Sequence, residues 1–298
     1  MKRREFLENC ARAALAAGVS KIALPQTSDT PKAPLPHDPE RRSRICISTC
    51  SFHNLFPQTR DEKAPPLTGK PLDVLDFPDM IADHYSIHNL EVVAPHFAST
   101  ESSYLRDFKS RLERAHSQLV NIPVDIDELW NQPALSGTEQ QRDRAISLYN
   151  PWIDIAHDLG ARSVRCDPGK VNAADPSPTI DSYKALVSRG RSKDIRIIVE
   201  NHGGVVSGRP EMLVKILETS GAGALPDFGN WPNEETRERG LRLMFPLATT
   251  VCHAKLKQGG LDFARCMQIS KEAHFQGVYS IEAGGKGDPY NEVQQVVD

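Results

Sequence analysis

Residues 195–230 read IRIIVENHGGVVSGRPEMLVKILETSGAGALPDFGN and contain one strand–helix–strand unit. The β-branched, apolar run at 195–199 predicts a buried strand, and the run at 222–226 predicts the next one. Between them, residues 210–219 have helical spacing, with Pro210 at the predicted helix start and Gly221 just beyond its end. Two strands joined by a helix in this way are predicted to be parallel neighbours in one sheet.

The same unit recurs from residue 45 to residue 298. Strands are predicted at 45–50, 90–93, 119–124, 163–166, 195–199, 222–226, 249–252 and 278–281. Eight such units over about 250 residues predict an α/β fold, a closed (β/α)₈ TIM barrel. An open doubly wound sheet is the alternative, but it usually has a glycine-rich turn after its first strand, and residues 49–53 (TCSFH) have none. The connection at 179–189 has only a weak helical signal, and the chain leaves room for only a short last helix.

The first 44 residues differ in composition from the rest. Residues 1–24 contain the pair Arg3-Arg4 followed by an alanine-rich segment, which resembles a twin-arginine export signal. An amphipathic N-terminal helix is the alternative. The apolar run is too short to span a bilayer, so a stable membrane anchor is not predicted. Residues 25–44 are rich in proline and charge and predict a linker, and the predicted location is periplasmic or otherwise exported.

Composition and charge narrow the function classes. The formal net charge is −3, and no basic stripe is visible, so nucleic acid is not a predicted partner. The six cysteines form no CxxC pair, which argues against a zinc ribbon or a disulfide scaffold and favours buried free thiols. The sequence leaves homo-oligomer formation open.

Ligand-type side chains stand where the last four predicted strands end: Glu200, Asp227, His253 and Glu282. Their separations are 27, 26 and 29 residues, about one barrel unit each, so the four are expected at equal heights around one rim. Taken singly, each is more often a helix cap, a surface group or a packed histidine. Three carboxylates and an imidazole at one mouth, however, need a cation between them. This oxygen-rich set favours one divalent metal ion, Mn²⁺ first, with Mg²⁺, Co²⁺ or Zn²⁺ as alternatives.

The segments VENHGG (199–204), DFGN (227–230), HAK (253–255) and IE (281–282) resemble the xylose-isomerase-like TIM barrel superfamily. Within it they are most similar to the sugar phosphate isomerase/epimerase branch, over residues 45–298. The ketose epimerases of that branch have a histidine three residues after the strand-six aspartate, where this chain has Asn230. A particular sugar specificity is therefore not carried over.

The resemblance implies a metal-dependent sugar isomerase or epimerase that removes a proton next to a carbonyl through an enediolate. It implies four metal ligands: Glu200, Asp227, His253 and Glu282. It also implies that Glu200 and Glu282 are the catalytic acid/base pair, on opposite faces of a small-molecule sugar or keto-sugar. Such chemistry needs a base beside the C–H bond and a Lewis acid for the enediolate oxygens.

Other polar or aromatic residues near predicted strand ends are weaker candidates, and each is as readily a loop or packing residue. The predicted substrate-binding residues are His53, Glu91, Arg165, His202, Asn230, Trp231 and Lys255. Asp167 and Lys257 are further candidates of the same kind.

Three other functions stay open at this point. A lyase or hydrolase acting on 3-keto-glycosides would use the same enolisation, followed by loss of a β-substituent. An abasic-site endonuclease shares the barrel, but the charge balance and the export signal oppose it. A non-catalytic sugar-binding barrel would bind ligand without exchanging a substrate proton.

Overall fold

The computed structural model describes residues 39–64, 66–67, 69–129, 132–255, 261–285 and 287–298. Its strands are β1 Ile45–Ser48, β2 Asn89–Glu91, β3 Gln118–Pro123, β4 Ser163–Arg165, β5 Arg196–Glu200, β6 Gly223–Leu225, β7 Val251–Ala254 and β8 Val278–Ile281. They form one parallel sheet in the order β6-β5-β4-β3-β2-β1-β8-β7. The predicted TIM barrel is therefore confirmed.

Strands β6 and β7 are joined just beyond the end of β6, at two of the predicted ligands. Asp227 and His253 form a parallel β-bridge. The backbone N–H of His253 donates to the carbonyl of Pro226 at 2.9 Å, and that of Phe228 donates to the carbonyl of His253 at 3.2 Å. Two predicted ligands thus hold the last seam of the barrel together, which fixes their separation.

The helices cover the outside of the barrel. They are α1 Pro39–Ser43, α2 Phe77–Tyr85, α3 Ser102–Arg114, α4 Glu139–Leu159, α5 Ser177–Arg191, α6 Gly204–Gly208, α7 Pro210–Ser220, α8 Glu234–Met244, α9 Phe263–Glu272 and α10 Pro289–Val297. Short 3₁₀ turns occur at Thr49–Leu55, Ala94–His96, Ala134–Ser136 and Phe245–Leu247. Helix α7 begins with Pro210 and ends at Gly221 in the left-handed conformation, as its sequence predicts.

The two-residue period of the strands sets which side chains point into the barrel. Ile198, Leu225 and Val251 belong to a small apolar cluster inside the barrel, whereas Ile197 and Val199 pack toward the helices. Since alternate residues of a strand face the same side, Glu200, Asp227 and His253 also point inward, two positions after an apolar inward residue. The apolar cluster of Ile198, Leu225 and Val251 therefore lies deeper in the barrel than these polar groups.

Residues just before β1 contact the barrel. Helix α1 lies within the stretch assigned to the linker, and the Arg44 guanidinium donates to the carbonyls of Gly277 at 2.9 Å and Phe275 at 2.7 Å. The domain boundary at residue 45 stays a prediction. The predicted export signal and the rest of the linker, residues 1–38, lie outside the described residues. Within the described ranges, no helix is both long and apolar enough to cross a bilayer.

Candidate active site

The four predicted ligands come together at the carboxyl ends of β5 to β8. Around Nδ1 of His253 lie Oε1 of Glu200 at 3.2 Å, Oε1 of Glu282 at 3.5 Å and Oδ2 of Asp227 at 3.6 Å. Glu200, Asp227 and His253 are buried, whereas the Glu282 side chain keeps 12% of its surface exposed. Three carboxylates thus surround one imidazole nitrogen inside the barrel mouth.

The donor set fits a divalent cation. Ligand atoms of Glu200, Asp227 and His253 lie within 4.8 Å of one another. Among the residues that the structure describes, Nδ1 of buried His253 has no hydrogen-bond partner. Burial alone lowers the pKa of His253, but the charges of Glu282 and Glu91 raise it well above its usual value. The arrangement therefore stabilises positive charge at this nitrogen, which a bound metal ion would supply in place of a proton.

Backbone donors orient Asp227. Its Oδ1 accepts the N–H groups of Gly229 at 2.6 Å and Asn230 at 2.8 Å, which leaves Oδ2 facing the mouth. The Asn201 side chain fixes the same turn, because its Oδ1 accepts the N–H of Asp227 at 2.7 Å and its Nδ2 donates to the Asp227 carbonyl at 3.1 Å. Asn201 was not predicted as a site residue, although it directly follows Glu200 in the quoted stretch.

Lys255 lies among the predicted ligands. Its ammonium is 2.7 Å from Oδ2 of Asp227 and 3.0 Å from Oε2 of Glu282. Burial lowers the pKa of Lys255, but these two carboxylates outweigh burial and raise it. For the Asp227 carboxyl, burial alone would raise the pKa, but the positive charges of Lys255 and His253 bring it below its usual range. Lys255 therefore supplies a fixed positive charge at the mouth.

Glu91, a predicted substrate-binding residue, lies inside the barrel. It is fully buried beneath His253, whose Nε2 lies 3.0 Å from its Oε1. Asn121 donates to Oε2 at 2.8 Å, and Ser280 donates to Oε1 at 3.1 Å. Burial alone would raise the pKa of Glu91, but the charge and hydrogen bonds of His253 lower it to about 2. Glu91 is thus an ionised carboxylate that orients the imidazole, as carboxylates beneath metal-binding histidines commonly do.

Comparison with known proteins identifies the family of this chain. The family described as the xylose isomerase-like TIM barrel matches residues 88–298. The chain belongs to the xylose isomerase-like TIM barrel family. A comparison with curated protein sequences gave no match.

Several solved structures share the fold of this protein at low sequence identity. A D-tagatose 3-epimerase-like protein is 17% identical, with a TM-score of 0.63 over 85% of this chain and 95% of that one. A xylose isomerase-like TIM barrel protein from Mycobacterium smegmatis in complex with magnesium is 14% identical, with a TM-score of 0.59 over 85% and 95%. The 3-keto-D-glucoside 4-epimerase of E. coli is 9% identical, with a TM-score of 0.61 over 85% and 98%.

Arg165, a predicted substrate-binding residue, lies among carboxylates. Its side chain is only 4% exposed, and its guanidinium donates to Oε2 of Glu200 and to Oδ1 of Asp125. Oδ2 of Asp167 lies 3.7 Å away. Three carboxylates of the protein therefore surround the Arg165 guanidinium.

Trp231, a predicted substrate-binding residue, packs inside the protein. It is 7% exposed, and its indole N–H donates to the Asp227 carbonyl at 2.7 Å. Its ring lies against Gly240 of α8, where a Cβ would be 2.1 Å from the nearest ring atom. The indole therefore supports the Asp227 turn from behind.

Replacing Gly240 by alanine should consequently disturb that turn. We expect the free energy of unfolding to fall by about 1–3 kcal/mol, the usual range for overpacking a buried site, measured by urea denaturation. Gly208→Ala is the matched control, because a Cβ there meets no atom within 4 Å. Equal stability of Gly240→Ala and the parent would show that the indole ring has room to move.

Two further predicted residues, Asn230 and His202, contact carboxylates of the site. Asn230 donates to Oε1 of Glu200 at 2.8 Å, and His202 Nδ1 lies 3.2 Å from Oδ2 of Asp167. His53 is partly buried, and its Nδ1 is 3.2 Å from Nε2 of His96. Burial lowers the pKa of His53 to about 4, so it is neutral at physiological pH. Lys257 lies outside the described residues.

Proposed function

We propose that the protein is a divalent-metal-dependent sugar isomerase or epimerase that removes a proton next to a carbonyl and passes through an enediolate. The observation that carries the proposal is the convergence of Glu200, Asp227 and Glu282 on Nδ1 of His253. Membership of the xylose isomerase-like family and the epimerases among its structural neighbours support it.

The position of each residue at the site suggests its role. The metal would be held by Glu200, Asp227, His253 and Glu282. We propose Mn²⁺, and the structural neighbour in complex with magnesium supports a hard cation of this kind. When bound, such an ion stabilises the negative charge that develops on the substrate oxygens. The ammonium of Lys255 adds a second positive charge beside Asp227 and Glu282. A carboxylate at the mouth accepts the substrate proton.

The charge of the mouth favours a neutral sugar. Among the described residues, the carboxylates of Asp125, Asp167, Glu200, Asp227 and Glu282 gather around the two cations Arg165 and Lys255. Sugar hydroxyls donate hydrogen bonds to such carboxylates. The formal net charge of −3 and the lack of a basic stripe in the sequence argue against the abasic-site endonuclease.

A keto-glycoside is the second candidate substrate. The E. coli structural neighbour is named for a 3-keto-D-glucoside, which supports testing this class. If the same enolisation expels a β-substituent, the protein is a lyase or hydrolase, and product analysis would show a split glycoside. The export signal and the oligomeric state stay predictions from the sequence.

The proposal is tested by deuterium exchange. Purified protein loaded with Mn²⁺ is incubated in D₂O with D-fructose, D-tagatose, D-psicose and 3-keto-D-glucosides, and deuterium at carbon is measured by mass spectrometry. We expect exchange for at least one sugar and a loss of about 10²–10⁴-fold in Glu282→Gln, the usual contribution of a general base. Glu113→Gln is the control, because this glutamate is exposed on α3. Sugar binding without any exchange would favour the non-catalytic barrel.

A further inference from the structure

We propose that Nε2 of His53 donates a hydrogen bond to an oxygen of the substrate, and that Thr49 and His96 are positioning residues that fix the proton on that nitrogen. The inference rests on the proposed function and deepens it, because it adds a substrate-binding group outside the proposed set of metal ligands. His53 is a candidate from the sequence, whereas Thr49 and His96 are recognised only from their contacts.

The turn after β1 lies against the carboxyl end of β8. It spans Thr49–Leu55, and β1 pairs in parallel with β8. The Ser51 hydroxyl donates to the carbonyl of Ile281 at 2.9 Å and accepts the N–H of Ala283 at 2.9 Å. These two residues lie on either side of Glu282 in the chain. The turn therefore belongs to the rim that carries the proposed metal site.

Two histidines meet where the turns after β1 and β2 come together. His53 is partly buried and belongs to the first turn, and His96 is fully buried and belongs to the second. Cys50, three residues before His53, lies near Lys255: burial lowers the pKa of Lys255, and Cys50 is among the neighbours that raise it. His53 is thus three residues along the same turn from a neighbour of the proposed active site.

Thr49 determines which ring nitrogen of His96 carries the proton. Oγ1 of Thr49 accepts the backbone N–H of Val93 at 3.0 Å and lies 2.8 Å from Nδ1 of His96. Because a backbone N–H can only donate, the Thr49 hydroxyl proton is left for Nδ1 of His96, its other neighbour among the described residues. Both side chains are fully buried, where an unpaired hydroxyl proton is costly. Nδ1 of His96 therefore accepts.

The same reasoning assigns the proton of His53. Burial and the neighbouring His53 lower the pKa of His96 well below its ordinary value, so its ring is neutral and its one proton is on Nε2. Nε2 of His96 lies 3.2 Å from Nδ1 of His53, which must accept this proton's hydrogen bond. Burial lowers the pKa of His53 to about 4, so this ring is also neutral near pH 7. Its own proton is consequently on Nε2, which is a donor and not a base.

The two rings are held in place before any ligand binds. His96 stacks on Phe56, with ring centroids 4.3 Å apart and planes 6° apart. The carbonyl of His53 accepts the Thr59 hydroxyl at 2.9 Å, which anchors its backbone. A donor that is already oriented loses little freedom when a ligand binds. A neutral N–H group suits a hydroxyl or carbonyl oxygen of an uncharged sugar, in agreement with the charge of the mouth.

The proton assignment is tested by nitrogen NMR of the full-length protein labelled with ¹⁵N only in its histidines. Protonated and unprotonated ring nitrogens resonate far apart, and spectra of His53→Gln and His96→Gln assign the signals. At pH 7 we expect both histidines to be neutral, with Nδ1 unprotonated and Nε2 protonated. A proton on Nδ1 of His53, or a charged His53 ring at pH 7, would overturn the inference.

Substitutions at Thr49 separate positioning from mere structure. Thr49→Val should leave His53 as a mixture of both neutral forms, and Thr49→Ser, which keeps the hydroxyl, should retain the parental spectrum. Thr59→Val is the matched control, because its hydroxyl contacts the carbonyl of His53 and not the ring. If Thr49→Val does not fold, His96→Phe keeps the stacking on Phe56, removes Nε2 and should have the same effect. An unchanged His53 spectrum in these folded variants would contradict the positioning role.

The contact with substrate is tested with Mn²⁺-loaded protein and the four sugars of the deuterium-exchange experiment. For a sugar that exchanges, we expect His53→Phe to raise the half-saturating concentration about tenfold, as for the loss of one hydrogen bond, with a smaller change in the rate at saturation. His53→Gln, which keeps an N–H donor, should lose less, and Thr59→Val should match the parent. For a sugar that binds without exchange, the dissociation constant from isothermal titration replaces the half-saturating concentration.

The failure of this inference and the failure of the proposed function are distinguishable. Exchange with an unchanged half-saturating concentration in His53→Phe would support the proposed function and overturn the donor role of His53. Binding that is weakened in His53→Phe, without exchange in any sugar, would contradict the proposed function and support the donor role. If no sugar of the four binds or exchanges, the proposed function is contradicted and the donor role falls with it.

Discussion

Replacing Asp227 by asparagine is expected to lower the affinity for Mn²⁺ by about 100-fold or more, beyond the 10–100-fold typical of residues that only orient ligands. Asp227 contributes a buried oxygen, Oδ2, that faces His253 and Lys255. Its other oxygen accepts the N–H groups of Gly229 and Asn230, and an asparagine carbonyl can accept them equally. The substitution therefore removes a ligand charge and keeps the turn.

Isothermal titration of chelator-treated protein with MnCl₂ measures this change. A second measurement is the thermal midpoint with and without metal, since a ligand that binds only the folded state raises it. We expect Mn²⁺ to raise the midpoint of the parent and of Asp107→Asn, an exposed control on α3, but not that of Asp227→Asn. Equal Mn²⁺ affinity in Asp227→Asn and the parent would remove Asp227 from the proposed ligand set.

The barrel could be predicted from the sequence because each strand is a short buried apolar run at regular spacing. Helix α5 is the exception among the helices. Its local signal at 179–189 is weak, yet the helix runs over Ser177–Arg191 and buries Ile180, Tyr183 and Leu186. The Tyr183 hydroxyl also donates to the Cys166 carbonyl at 2.6 Å. Packing against the barrel, which no local window of sequence contains, accounts for its stability.

The convergence of the predicted ligands also followed from the sequence, because strand period and unit length together set their height and direction. The depth of each side chain in the barrel and the residues that it contacts could not be predicted in this way. Glu91 ends a strand as Glu200 does, but only the barrel places it under His253, a residue 162 positions away in sequence. Likewise, the contact between Arg165 and Glu200 depends on how β4 and β5 pair, and the burial of Trp231 depends on Gly240 in α8. Such contacts between distant residues left no local pattern.

Removing the Glu91 side chain is the second change with a large expected effect. Glu91→Ala leaves the buried donors of His253, Asn121 and Ser280 without their acceptor, so we expect a loss of about 3–5 kcal/mol in the free energy of unfolding, as for other broken buried pairs. Glu91→Gln retains an acceptor of similar shape and should lose less. It should still weaken Mn²⁺ binding by about 10–100-fold, because the imidazole loses the charge that orients it.

The pH dependence identifies the charge as the cause. The folded-state pKa of Glu91, about 2, lies below its ordinary value of 4.5, so its carboxylate stabilises the fold above 4.5 and loses that contribution as pH falls toward 2. The pKa of His253 is raised, so its contribution is complete below its ordinary value of 6.5 and is lost only as pH rises through the raised value. Urea unfolding of metal-free parent and Glu91→Gln should therefore differ most near pH 6 and converge as pH falls below 4.5, whereas Glu113→Gln should follow the parent throughout. A difference that stays constant down to the lowest pH at which the protein folds would mean that shape, rather than the Glu91–His253 charge pair, holds the imidazole in place.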